Sequence, residues 1–146
     1  MEYFKDFGGR RLSRILVMEA LYRYQLLGED PREALGDIIK REEPPEEVAK
    51  FAGELLEAVV KNLDKIDELI KETSFNWEID RIAYLDRAIL RLGIGEMMGL
   101  KDIPFRVTIS EAIELAKTFS TVESGRFVNG ILDAIATKLG LKEEVI

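Results

Sequence analysis

The chain has 146 residues, 47% hydrophobic and 34% charged, with a net charge of −7, and that composition excludes a disordered chain. Cysteine and histidine are both absent, which excludes disulfides, thiolate and imidazole metal sites, cysteine nucleophiles and every histidine-based triad. Residues 28–80 hold seven basic and sixteen acidic side chains, net −9, whereas residues 1–27 hold five basic and three acidic, net +2, so bulk non-specific nucleic-acid binding is excluded but a local site at the basic end is not.

At this length one domain is expected, residues 1–146, large enough to bury a core without covalent staples. Apolar residues recur at helical spacing almost throughout, and no stretch keeps a period of two. The expected class is therefore all-α, with six to seven helices and short connections. A first helix runs from about Arg10 to Leu27, after Gly8 and Gly9, and ends at Gly28, which suits a left-handed C-terminal position. A second follows with Asp30 as N-cap and Pro31 at the first helical position, and it dies at Pro44–Pro45.

Val48, Phe51, Leu55, Val59, Leu63, Ile66 and Ile70 then recur every three or four residues, one apolar face of a long helix with Asn62 as the place for a kink. A connector at residues 73–80 divides the chain into sub-bundles of roughly 1–75 and 76–146. Asp80 is placed to cap the next helix, built on Ile82, Leu85, Ile89 and Leu92 and ending near Gly99. Thr108 with Glu111, and Ser120 with Glu123, fit capping boxes opening the last two helices.

Three segments stand out. In GGRRLSRILVMEALYRYQ, a helical wheel puts Arg10, Arg14 and Gln25 within ~60° of one another and Arg11 ~100° from Arg10, with Leu12, Ile15, Leu16, Ala20 and Leu26 on the opposite arc. Basic residues in the first turns oppose the helix dipole. Guanidinium clusters grip phosphates and stack on bases, so RNA explains the cluster. A solvated face paired with the acidic middle segment explains it as well. The arm before it carries Tyr3, Phe4, Lys5 and Phe7. In ESGRFVNGILD, Gly125 and Gly130 each cost about 1 kcal/mol relative to Ala inside a helix, which points to close helix approach. Asn129 there reads as a buried side chain bonded to backbone, and Phe127 as core or as an exposed stacking platform. In EAIELAK, Glu111 is accounted for by capping and Glu114 by an i,i+3 pair with Lys117, so catalysis is not expected. GRRLSR, GIGEMMG and SGRFVNG follow no predicted strand and are not phosphate loops. No cofactor or metal is expected.

Taken in order, RRLSRILVMEALY, KIDELI, DRAILRLGIGEM, IPFRVTISEAIELAKTF and ESGRFVNGILD resemble the NusB family of bacterial transcription antitermination factors across essentially the whole chain. The resemblance implies two three-helix bundles in one compact domain and no enzymatic activity. It implies binding of boxA RNA together with NusE, a small-subunit ribosomal protein, within an RNA polymerase antitermination complex that serves ribosomal RNA operons. The RNA residues it implies are Arg10, Arg11, Arg14, Tyr22, Glu123, Arg126 and Phe127. Those implied for the partner are Asp86, Arg87 and Arg91, with Asp86 first among them. The family often carries an Arg or a small residue where this chain has Leu12 and Ser13, which leaves the surroundings of Arg11 open. Self-association is also left open. The opening MEYFKDFGGRR lacks the apolar stretch of a signal peptide, and no apolar run reaches membrane-spanning length, so a cytoplasmic chain without membrane contact is expected. NusB-like domains also occur fused to RNA methyltransferases, and the end at Ile146 favours a free-standing factor. A helical scaffold that binds only protein is the competing class.

Overall fold

The computed structural model describes residues 8–74 and 79–142, so the aromatic arm with Tyr3, Phe4, Lys5 and Phe7 lies outside the described residues. Seven α-helices follow one another: α1 (Gly9–Leu27), α2 (Pro31–Glu42), α3 (Glu46–Lys61), α4 (Leu63–Thr73), α5 (Tyr84–Gly99), α6 (Phe105–Phe119) and α7 (Val122–Lys138), with one 3-10 turn at Ile79–Arg81 before α5. No strand occurs among the described residues. The expected all-α class holds.

Helix ends follow local chemistry. Gly28 takes φ 71° and its N–H donates to the Tyr24 carbonyl, closing α1 as expected. Asp30 accepts from the Arg32 N–H at 2.9 Å, and Pro31 opens α2. Asn62 breaks the long periodic stretch into α3 and α4. Its side-chain amide donates to the Ala58 carbonyl at 2.8 Å, while its backbone N–H turns to the Val59 carbonyl at 3.1 Å. The side chain thus competes for the carbonyl that the helix ladder would use.

Three expected starts are corrected. α5 begins at Tyr84 with Ala83 as its N-cap, not at Asp80, because the 3-10 turn intervenes. α6 begins three residues before Thr108, and the Pro104 carbonyl accepts from Val107 and Thr108. Thr108 and Glu111 therefore lie inside the helix and are free for other partners. α7 is capped by Thr121 rather than Ser120: the Thr121 hydroxyl oxygen accepts from the Ser124 N–H at 3.0 Å.

α1 packs on α2, α3 and α5, and α5 is the hub, touching α1, α3, α4, α6 and α7. A single cluster of buried apolar side chains runs through both halves. α5 is buried without a break from Asp86 to Met97, so it is enclosed on all sides rather than amphipathic. GIGEMMG serves this enclosure. A Cβ on Gly95 would lie 2.5 Å from Val59 Cγ2 and 3.0 Å from Val59 Cα, so α3 and α5 meet there at backbone distance. Gly125 likewise admits the Lys117 side chain of α6. Gly130 does not fit the expectation: nothing lies within 4 Å of where its Cβ would be. Asn129 beside it is exposed, not buried.

Two substitutions separate these cases. Gly95→Ala should destabilise by about 1–3 kcal/mol through overpacking against the α3 backbone. Gly130→Ala should stabilise by about 0.4–1 kcal/mol, because the site is open and helical. Urea denaturation of both variants, with helical content checked by circular dichroism, measures the contrast.

Candidate nucleic-acid interface

α1 is buried continuously from Leu12 to Met18, a far wider arc than one amphipathic stripe. Leu12 sits in the core, and the Ser13 hydroxyl donates to the Val48 carbonyl at 2.7 Å. These two small or apolar neighbours of Arg11 therefore seat α1 on α3 and leave Arg11 at the rim.

The three arginines have three different environments. Arg14 is only 3% exposed, and its Nε and Nη2 donate to the two carboxylate oxygens of Glu96 at 2.7 and 3.0 Å. Glu96 is fully buried on α5 and also accepts from the Thr108 hydroxyl of α6. The expectation that Arg14 meets RNA is corrected: its fork is spent inside the protein. Arg11 is 38% exposed, and its Nε and Nη2 donate to Glu111 of α6 at 3.2 and 2.6 Å. That hydrogen bonding raises the Arg11 pKa further above its ordinary value. Arg14 Nη1 reaches the same carboxylate at 3.5 Å. Arg10 is exposed, stacks on the Phe51 ring with its guanidinium 4.7 Å from the centroid, and has no ion-pair partner among the described residues. Gln25 is not part of an arginine face, since it accepts from Arg91 at 2.7 Å.

Of the remaining expected RNA residues, Tyr22 lies in the second half of α1, and Glu123, Arg126 and Phe127 lie in the first turns of α7. Tyr22 is half-buried and meets Tyr84 edge-on, ring centroids 6.3 Å apart. Both line a 520 Å³ groove with Ile15, Met18, Leu85 and Phe119. Next along the surface is a 320 Å³ cleft lined by Arg81, Ala83, Asp86, Thr121, Glu123 and Phe127. Glu123 and Arg126 are exposed, and Phe127 is partly buried against the core. The helical rise separates Arg11 from Tyr22 by roughly 16 Å. Arg10 and Arg11 thus lie at the start of α1, Tyr22 roughly three turns on, and Glu123, Arg126 and Phe127 in the first turns of α7, and the strip expected to face RNA runs between those ends. Arg81, exposed at the cleft, was not singled out by sequence because no periodicity marks a residue in a connector. Glu96 was legible in principle: an acid inside an apolar, glycine-rich helical run needs a buried cation.

The three expected partner residues are corrected together. Asp86 is 8% exposed and accepts from the Ser124 hydroxyl at 3.1 Å, which ties α5 to the first turn of α7. Arg87 is 2% exposed, donates to the Ile82 carbonyl at 2.8 Å and lies over the Tyr84 ring. Arg91 is 4% exposed and holds Asp67 of α4 through two bonds at 2.9 and 3.0 Å. All three are buried and bonded within the fold, and of them Asp86 alone lines the cleft at the start of α7. Lys117 and Glu114 form the expected i,i+3 pair at 3.7 Å, and no cluster of metal-ligating side chains occurs among the described residues. No described helix is long and apolar enough to cross a membrane.

Burial pushes the Asp86 carboxyl above its usual range, opposed by the hydroxyls of Ser124 and Ser120. An acid whose folded pKa exceeds its unfolded value favours the folded state less as pH rises between the two. Asp86→Asn should therefore gain stability over the natural chain at neutral pH and lose that advantage below about pH 4, as measured by thermal melts across a pH series. Arg14→Ala should cost about 3–5 kcal/mol by stranding buried Glu96, whereas the apolar pair R14M/E96L should cost much less; urea denaturation distinguishes them.

The NusB family's sequence profile matches residues 11–137. Proteins named transcription antitermination protein NusB are similar over nearly their full lengths. That of Desulfatibacillum aliphaticivorans is 39% identical, covering 94% of this chain and 96% of its own. That of Myxococcus xanthus is 42% identical, covering 90% and 97%. Among solved structures, NusB of T. maritima superposes with a TM-score of 0.83 at 39% identity, covering 90% of this chain and 92% of its own. A chain from a complex of the antitermination factors NusB and NusE with double-stranded RNA superposes with a TM-score of 0.81 at 27% identity, covering 94% and 99%. With a matching profile over most of its length, relatives near 40% identity and the same seven-helix fold, this chain belongs to the NusB family.

Proposed function

We propose that this chain is a non-enzymatic, cytoplasmic transcription antitermination factor. It binds boxA RNA together with NusE and joins an RNA polymerase antitermination complex that serves ribosomal RNA operons. The observation that carries this reading is the likeness to the chain solved with NusE and double-stranded RNA, joined to an exposed Arg10 that has no ion-pair partner among the described residues, on the strip expected to face RNA. The contacts assigned to RNA are Arg10, Arg11, Tyr22, Glu123, Arg126 and Phe127. Arg14 supports them from within.

Electrostatics shape how the chain binds. Its body is acidic, net −9 over residues 28–80, and two of the three arginines at the start of α1 are already balanced by carboxylates. The isolated protein therefore binds RNA weakly. A basic ribosomal protein beside the strip offsets the field and adds contacts. NusE then tightens RNA binding, and by linkage RNA tightens NusE binding by the same factor, typically about 1–3 kcal/mol.

The test is a gel-shift and calorimetric series with a boxA-like single strand, with and without NusE, over a range of salt concentrations. Arg10→Ala should weaken RNA binding and reduce the log–log salt slope by about 0.7, the value for one lost phosphate contact on a single strand. Absence of RNA binding by the natural chain at any salt concentration, with NusE bound normally, would favour a scaffold that binds protein alone.

A further inference from the structure

Glu111 stands where simple electrostatics would not place it. It is an acid on α6, 16% exposed, at the rim of a strip assigned to a polyanion. Its carboxylate receives Nε and Nη2 of Arg11 side-on and Nη1 of Arg14 from below. Arg14 is in turn locked by buried Glu96, and Glu96 by Thr108. A chain of five side chains from α5, α6 and α1 thus ends at the Arg11 guanidinium, and its two arginines and two glutamates sum to zero charge. The side-on grip uses two of the five guanidinium N–H donors and leaves the Nη1–Nη2 edge for an incoming group.

We propose that Glu111 is a positioning residue that holds Arg11 as a pre-oriented reader of RNA, so that Arg11 recognises by geometry and Arg10 by charge. The ligand chemistry that fits is two acceptors side by side in the plane of the guanidinium, as on the O6/N7 edge of a guanine in a single strand. This inference rests on the RNA reading above. Arg11 has no net charge left to exchange for counterions, because Glu111 already neutralises it. Its contact is therefore nearly independent of salt. Arg10 has no ion-pair partner among the described residues and releases counterions when it meets a phosphate. The fixed orientation lowers the rotamer entropy that Arg11 loses on binding, since its fork is ordered before RNA arrives.

The sign of one substitution separates this from a plain competitor. Glu111→Gln removes a negative charge next to RNA, so a carboxylate that merely masks Arg11 would tighten binding when removed. Positioning predicts weaker binding despite the added net positive charge. Affinity for a guanine-containing boxA-like strand is measured over a salt series for the natural chain, E111Q, R11A, R11K and R10A, with the fold checked by thermal melts. R11A should lower affinity by about 5- to 100-fold, the range for a bidentate contact, with the salt slope nearly unchanged. R11K keeps the charge but loses the fork and should not restore affinity. Replacing guanines by inosine, which keeps O6 and N7, should leave R11A's effect intact, and 7-deazaguanine should abolish it. Tighter binding by E111Q, or full restoration by R11K, would overturn the proposal. Should E111Q not fold, R11K and the 7-deaza strand decide alone, because both leave Glu111 in place. If R10A also has no effect, the RNA strip itself is misassigned. If R10A weakens binding while R11K binds normally, only the positioning role fails.

Discussion

The buried pair between Arg14 and Glu96 is the constraint on which the rest of the arrangement depends. Two full charges lie in a low-dielectric interior, where their attraction roughly offsets the cost of removing them from water. Such a pair adds little net stability over an apolar pair of similar size. Its effect is geometric: two hydrogen bonds at 2.7 and 3.0 Å admit one rotation of α1 against α5. The Thr108 hydroxyl on Glu96 sets α6 in the same frame. Once α1 is fixed in rotation, Arg11 emerges at the α1–α6 seam and Arg10 beyond it over Phe51. Glu111 supplies from α6 the acid that the first turn of α1 lacks.

The same economy of charge governs the other end of the strip. Asp86 anchors the first turn of α7 through Ser124, and Thr121 caps that turn, so Glu123 and Arg126 project from a helix start held at two points. Arg91 ties α5 to α4 and to Gln25 of α1. Residues that carry charge in a family-like motif are therefore of two kinds here. Some face solvent, and some lock helices so that the first kind point correctly. A chain with 34% charged residues can hold an all-helical core because buried charges such as Arg14 with Glu96 and Arg91 with Asp67 are paired across helices.

Much of the fold was legible because its signals are local. Gly28 and Asp30–Pro31 mark their helix boundaries through backbone chemistry that needs no tertiary context. Asn62 was readable as a break for the same reason. The start of α6 was misread because Thr108 and Glu111 satisfy a capping pattern while their side chains serve α5 and α1 across the core. The burial of Arg14, Asp86, Arg87 and Arg91 was not legible. A helical wheel assigns charged residues to solvent, and only knowledge of which acids lie opposite, at separations such as 82 residues for Arg14 and Glu96, reverses the assignment. Asn129 and Gly130 failed in the other direction: apolar neighbours in sequence placed them inside, but their arc of α7 faces outward.

The central claim is that RNA meets the start of α1, Tyr22 and the start of α7. Amide chemical-shift mapping of the chain, titrated with a boxA-like strand in the presence of NusE, tests this most directly. The account predicts perturbation concentrated at residues 9–11, around Tyr22, and at 121–127 in excess of that caused by NusE alone. Perturbation confined to α2 and α3, with those three segments unmoved by RNA, would contradict it.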